Sequence, residues 1–406
     1  MRILFLCNVF PHANVVSGAI NVYHRIRLLA QRGHSVGLAA FSTQADEPHI
    51  GAIRTMLHEM ELVPRPVRTT ILRRMPEGIF PLLPQEFSAW YSPAMRLTVG
   101  RMITGSHYDL VVAEFSVMGQ YLHCNPYLPA VRRVISCHSC LTTSTRKGIG
   151  VRPYAPSSWW RKLALKRLQD YEFKMYRNAD LILTLTGEER FDLLKYDPDL
   201  RIRIVPYGVD VDYFKPVSSR DPEESLIYTG YFAQEPNSDA FIWFVKTVWP
   251  WLRVKHPELK FYVVGAGVTS AMRSVAANDP RIVITGPVDD VACYLARGRI
   301  FVCPIRMGTG FRGKILQAMA AGLPVVATTL AAEGIPAQNG QNIILGDTPA
   351  TMAGGIDLLL SDAGLRRSIA ANARELVVRR FAWSHCIDLL ERILIELIEK
   401  NRPGAM

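Results

Sequence analysis

At 406 residues the chain exceeds one ordinary core, and two or three domains of roughly 100 to 200 residues each are expected. Apolar residues make up 49% and charged residues 20%, which excludes a disordered or fibrous protein and leaves ample material for buried cores. Lys and Arg outnumber Asp and Glu by 47 to 36, a formal +11, so an anionic partner is expected: nucleic acid, a lipid headgroup or a phosphorylated substrate.

The opening RILFLC (2–7) reads as a first strand, too short an apolar run for a secretory core or a membrane span. No later run reaches spanning length without a charge or a proline, which predicts a cytoplasmic protein. The loop NVFPHANVVSGAIN leads into a helix with Val22, Tyr23, Ile26, Leu29 and Ala30 on one face, closed by Gly33. HSVGLAAF from His34 is a second strand, completing a βαβ unit. Further short apolar strands read at YDLVVAEF (108–115), RRVISC (132–137), ADLILTLT (179–186) and RIRIVPYG (201–208). Their alternation with amphipathic helices predicts a parallel sheet covered on both faces.

Between these strands, WWRKLALKRLQDYEFKMYR (159–177) predicts a helix with Trp160, Ala164, Leu168, Tyr171 and Met175 on one face. Two readings stand: a basic amphipathic helix that lies peripherally on an anionic membrane surface, or an ordinary helix with a solvated basic face. A second basic segment, RPVRTTILRRMPEGIF (65–80), is broken by proline and expected to be mobile. Neither belongs to a recognisable binding module for nucleic acid, which is therefore not expected as a partner.

A second series starts at ESLIYTG (224–230) and continues through LKFYVVGAG (259–267), RIVITG (281–286), RIFVCP (299–304), LPVVAT (323–328) and QNIILG (341–346). The proline-bearing DVDYFKPVSSRDPEES reads as the linker, which predicts an α/β chain of two doubly wound, Rossmann-like lobes. The expected domains are 1–215 and 216–385, with a closing helix at 386–406 that packs back on the first lobe.

Seven cysteines, an odd number spread along the chain, argue against a disulfide framework and are expected to be free thiols. Cys137 and Cys140 flank His138 as C-x2-C, but zinc needs two further ligands and no second pair at zinc-finger spacing exists. Asp210 and Asp212, in DVD, could pass for a metal-binding pair but lie in the linker and read as structural, so no metal is expected.

Strands of the second series end in glycine: Gly230, Gly265 with Gly267, and Gly286. In open α/β sheets ligands bind beyond the carboxyl ends of strands, and glycine there lets a ligand approach the backbone. After RIFVCP, the loop IRMGTGFRG runs into the helix KILQAMAAG, whose first amides are unpaired and carry partial positive charge. Arg312 and Lys314 in the same turn add full charges, so a diphosphate is the expected occupant.

GTGFRGKILQAMAAGLPVVATTLAAEGI (308–335) resembles the signature of family 4 glycosyltransferases, retaining enzymes of the GT-B fold that use nucleotide-sugar donors. YGVDVDYF (207–214), GYFAQEPNSDAFIWF (230–244), VVGAG (263–267), TGPVDDV (285–291) and FAWSHCIDLL (381–390) occur in that family's order. The likeness is greatest to a bacterial polysaccharide-type branch with a PN…WF segment.

The resemblance implies two lobes facing across a cleft, the donor nucleotide against the second and the acceptor, a glycan or lipid-linked molecule, entering from the first. It implies that Gly18 faces the diphosphate, that His138 touches the donor sugar, and that the backbone of Gly286 and Val288 contacts the base. Gly308, Thr309, Gly310, Arg312 and Lys314 fall in its phosphate-facing loop, and Gly230 and Gly265 in the neighbouring loops.

Two departures stand out. Where the family often has two glutamates separated by seven residues, this chain has Thr309 and Gln317; Gln317 can still accept from a ribose hydroxyl, without charge assistance. The loop GYFAQEPN also lacks the arginine and distant lysine usual for the diphosphate, a gap that Arg312 and Lys314 are expected to fill.

The implied activity is a metal-independent, retaining hexosyl or N-acetylhexosaminyl transfer with the nucleotide sugar as co-substrate and no cofactor. Fixed cations at the leaving diphosphate would lower its barrier. The alternatives are a non-catalytic donor-binding partner subunit and a GT-B-fold nucleotide-sugar epimerase.

Overall fold

The computed structural model describes residues 1–13, 18–66, 83–150, 158–217, 223–308 and 310–399. Seven short strands, near-continuously apolar except at the two edges, form the first sheet: β1 (Arg2–Cys7), β2 (Ser35–Ser42), β3 (Glu59–Pro64), β4 (Leu110–Glu114), β5 (Arg132–Cys137), β6 (Leu181–Thr184) and β7 (Ile202–Ile204). They are all parallel, in the order β3-β2-β1-β4-β5-β6-β7, and Phe5 at the centre lies opposite Leu38 on one side and Val112 on the other. Such strands lack polar alternation because helices cover both faces. Strand β3 was not foreseen: it is an edge strand whose residues are mostly half-buried, so EMELVP carries little apolar contrast.

The second sheet holds β8 (Ser225–Thr229), β9 (Lys260–Val264), β10 (Ile282–Gly286), β11 (Ile300–Cys303), β12 (Val325–Ala327) and β13 (Ile344–Leu345), in the order β10-β9-β8-β11-β12-β13. In both sheets the order of strand addition reverses once, between β1 and β4 and between β8 and β11, and each sheet carries its own apolar core. In such doubly wound sheets the crevice at the reversal, beyond the carboxyl ends of the strands, is where a ligand binds.

The chain divides into two units, Met1–Val205 with the chain from Ile387, and Pro206–Cys386. From Ile387 onward the closing helix Trp383–Glu399 is tied to the first unit by charge. Arg32 donates to Glu391 at 2.6 Å and Asp388 at 2.5 Å, His34 Nε2 lies 2.6 Å from Glu391, and Arg203 reaches Glu396 at 3.0 Å. Each of the seven cysteines is free. No helix among the described residues is long and apolar enough to cross a membrane.

Candidate functional site

In the second unit the loops leaving β8, β9, β10 and β11 meet at the carboxyl end of the sheet. Gly265 adopts φ +141°, and a Cβ on it would lie 1.9 Å from the Gly230 carbonyl oxygen, so only glycine allows the two loops this approach. The Gly265 amide donates to the Gly286 carbonyl at 3.0 Å, tying in the third loop, and the Phe232 amide donates to Ala266 at 2.8 Å. Gly308 sits against Pro236, at the start of the helix Glu235–Thr247. The expected donor-side residues Gly230, Gly265, Gly286 and Gly308 are thus brought together. Val288 is half-buried against the core below. Gly310 lies in the same loop as Gly308, with open space around it, and Gln317 is half-buried on the helix Gly313–Ala320. Thr309 lies outside the described residues.

Arg312 caps that helix and donates to the carbonyls of Met307 and Gly308 at 3.4 and 3.1 Å, bracing the turn. Phe311 stacks on Tyr207 with ring centroids 5.7 Å apart and lies 6.1 Å from Phe381, which holds the loop from behind. Gly208 in turn packs against the Trp383 ring. The YGVD and FAW segments therefore serve as the loop's buttress.

Lys314 reaches the loop after β8. Its ammonium donates to the Thr229 carbonyl at 2.6 Å and to Asn237 Oδ1 at 2.8 Å, and lies 4.8 Å from the centre of the Tyr228 ring. Part of the residue remains solvent-accessible, but the charged group is enclosed; burial, assisted by the nearby Arg312 charge, lowers its pKa to about 8. Asn237 is the asparagine of the PN segment, so the lysine occupies the loop that lacks its own cations.

In the first unit, Gly18 caps the helix Ala19–Gln31, and a Cβ there would lie 3.0 Å from the Phe115 ring and 3.4 Å from His138 Nδ1. Gly18 and His138 are neighbours, with Phe115 stacked on the imidazole at 4.1 Å between centroids. Phe115 holds φ +69°, a strained conformation for a non-glycine residue. Behind them is a buried group that sequence reasoning missed. His138 Nε2 is 2.7 Å from Glu114, which is paired with Arg25 at 2.9 Å, and Arg25 also donates to Ser136 at 2.8 Å. The signal was present: Asn21 and Arg25, four apart, occupy sheet-facing positions of an otherwise apolar helical face, and both are buried.

Other sequence features have structural roles here. Asp210 accepts from the amides of Asp212 and Tyr213, forming a turn. The helix Ser158–Arg177 buries Leu168 and Met175, but Trp160 is 64% exposed and Ala164 is exposed too, so the predicted face is apolar and covered only in its second half. Residues 67–82 of the other basic segment lie outside the described residues. Among the described residues no group of three His, Cys, Asp or Glu could hold a metal ion.

Family models match both units: "Glycosyltransferase Family 4" over residues 19–213 and "Glycosyl transferases group 1" over 223–362. The chain is 24% identical to a D-inositol 3-phosphate glycosyltransferase of Xylanimonas cellulosilytica, over 96% of this chain and 94% of that one. Its fold is similar to that of a sucrose-phosphate synthase from Thermosynechococcus elongatus, with a TM-score of 0.74, 16% identity and coverage of 99% and 100% of the two chains. It is also similar to HepE from Anabaena in complex with UDP, with a TM-score of 0.70, 14% identity and coverage of 98% and 100%. The two family models place the chain in glycosyltransferase family 4, GT-B enzymes that move a sugar from a nucleotide-diphosphate donor to an acceptor, and its two parallel sheets have the matching fold.

Proposed function

We propose that the chain is a retaining hexosyl or N-acetylhexosaminyl transferase whose second unit grips the donor diphosphate at the turn from Met307 to Lys314. The observation that carries this reading is the packing of the Gly230, Gly265 and Gly286 loops on one another, with the Lys314 ammonium seated in the first of them and Arg312 bracing the turn before the helix Gly313–Ala320. As the anomeric bond breaks, the leaving diphosphate gains charge, and these fixed donors stabilise that state more than the ground state. Gln317 accepts from a ribose hydroxyl, Gly286 and Val288 line the base, and His138 contacts a hydroxyl of the donor sugar.

Thermal stabilisation by a panel of nucleotide sugars tests donor binding, since a ligand that binds only the folded state raises its melting point. Anomeric configuration of the product, read by NMR, tests retention. Alanine at both Arg312 and Lys314 should abolish the stabilisation, and unchanged donor affinity would reject the assignment. The absence of the two usual glutamates favours, as a second reading, a donor-binding subunit without chemistry; donor binding with neither transfer nor hydrolysis would support it.

The acceptor in this reading is lipid-linked or a membrane-proximal glycan. Trp160 and Leu163, 64% and 40% exposed, project beside exposed Arg161, Lys162, Lys166 and Arg167 at the start of the helix Ser158–Arg177. Such a surface suits an anionic bilayer. Flotation with vesicles containing phosphatidylglycerol, but not with phosphatidylcholine alone, is the expected result; equal behaviour with both would remove the membrane from the proposal.

A further inference from the structure

His138 is held by a chain of buried polar groups whose proton bookkeeping can be worked out. The side chains of Arg25, Glu114 and His138 are 2%, 0% and 7% exposed. Arg25 Nη1 lies 2.9 and 3.2 Å from the two oxygens of Glu114 and 2.8 Å from Ser136 Oγ, and His138 Nε2 lies 2.7 Å from Glu114 Oε2. Burial alone would raise the Glu114 carboxyl, but the Arg25 charge and the His138 hydrogen bond overcome it and hold the group at about 2. Glu114 is therefore ionised and can only accept, so the proton between it and the imidazole belongs to Nε2.

The charge on the ring follows from the same arithmetic. A buried carboxylate alone beside an imidazole would draw a second proton onto it; a buried carboxylate already matched by a guanidinium does not. Arg25, Glu114 and a neutral His138 sum to zero, the total that a desolvated site favours. Burial, opposed by Glu114 and assisted by Arg25, keeps the His138 pKa below its ordinary value. With Nε2 protonated and the ring neutral, Nδ1 carries a lone pair. That nitrogen points towards Gly18, at the start of the helix Ala19–Gln31, and Phe115 fixes the ring plane.

We infer that Arg25 and Glu114 are positioning residues that lock His138 in its neutral Nε2–H form, so that Nδ1 is a fixed hydrogen-bond acceptor for a hydroxyl of the donor sugar. This rests on the donor-sugar contact proposed for His138. Its consequence is selectivity: a donor sugar with a hydroxyl at that point is bound, whereas one with a carboxylate there meets a lone pair and one lacking the hydroxyl leaves the acceptor unpaired.

The lock can be tested without any substrate, by two-bond proton–nitrogen NMR on the full chain labelled with [15N]histidine, assigned through His138→Gln. At pH 7 the wild type should show His138 as the Nε2–H tautomer with Nδ1 at the shift of an unprotonated nitrogen. Arg25→Met should turn it into an imidazolium, and Glu114→Gln should release the tautomer and let the ring titrate nearer its ordinary range. An Nδ1–H tautomer or an imidazolium in the wild type would overturn the inference even if neither variant folds. So would an unchanged spectrum in folded Arg25→Met.

Donor binding is read separately. Arg25→Met turns Nδ1 into a donor that a hydroxyl can still meet with its oxygen, so an analogue of the selected nucleotide sugar with a carboxylate in place of that hydroxyl should gain about tenfold relative to the neutral sugar, while UDP or GDP alone binds as before. Equal changes for the neutral sugar, the carboxylate analogue and the free nucleotide would assign Arg25 a structural role only. Failure of every nucleotide sugar to bind would reject the proposed function and leave the tautomer result standing.

Discussion

Donor binding should be coupled to protonation of Lys314. Its ammonium has two neutral acceptors and an aromatic face, with no carboxylate among its partners in the described residues, and its pKa is brought down to about 8. A diphosphate charge about 6 Å away, at an effective dielectric constant near 20, contributes roughly 2 to 3 kcal/mol, equivalent to about two pKa units. Binding should therefore draw a proton from solvent. With folded values of about 8 empty and ~10 occupied, the uptake is ~0.1 proton at pH 7, ~0.5 at pH 8 and ~0.8 at pH 9. Since the occupied site holds the proton more tightly, affinity falls as pH rises through 8, by about tenfold between pH 7 and pH 9. Calorimetric titration of a nucleotide sugar in buffers of different ionisation enthalpy measures the uptake directly. Lys314→Met should remove it. Zero uptake at pH 9, or uptake that persists in the variant, would refute the reasoning.

The other predictions concern stability. The Glu189 carboxyl is raised to about 7, chiefly by burial, so the folded state holds a proton between its ordinary value and 7. Its stabilising share is complete below the unfolded value and lost as pH rises through 7, at a cost of up to ~3 kcal/mol at pH 8.5. Urea melts of Glu189→Gln at pH 5.5 and 8.5 should show that loss removed; parallel pH profiles would contradict the assignment. Gly265→Ala places a Cβ against the Gly230 carbonyl at a positive φ and should cost at least ~2 kcal/mol in the second unit and abolish thermal stabilisation by nucleotide. Glu391→Ala breaks the contacts with Arg32 and His34 and should speed amide exchange in the closing helix from Ile387 onward, at about 1 kcal/mol since the network is partly exposed.

Most strands were legible because each is a short apolar run, several of them ended by glycine or proline as at Gly230, Gly265, Gly286 and Pro304, a local pattern that owes nothing to distant residues. The order of motifs added the fold. Strand β3 escaped because an edge strand buries little, and its glutamates at 59 and 61 look like those of any loop. The face of the helix Ser158–Arg177 was read too long for a related reason: periodicity shows which side is apolar, and not how far along the axis something packs against it.

Residues that depend on distant partners are a different matter. Arg312 and Lys314 sit two apart and in sequence look like one cationic pair, yet their side chains go different ways: Arg312 back into its own turn, Lys314 across to Thr229 and Asn237. Asn237 precedes the lysine by 77 positions, so nothing near either residue announces the contact. The same separation hid Arg25, 89 positions from Glu114. A buried charge is affordable only with a partner, and the partner is chosen by topology, through the adjacency of β4 and β5 and the helix that follows β1. Once a sequence has yielded its sheet order, the search for such partners is short: charged residues at sheet-facing helix positions beside the carboxyl ends of neighbouring strands. Arg25 satisfies both conditions, which makes the pair that governs His138 recoverable from topology even where no motif marks it.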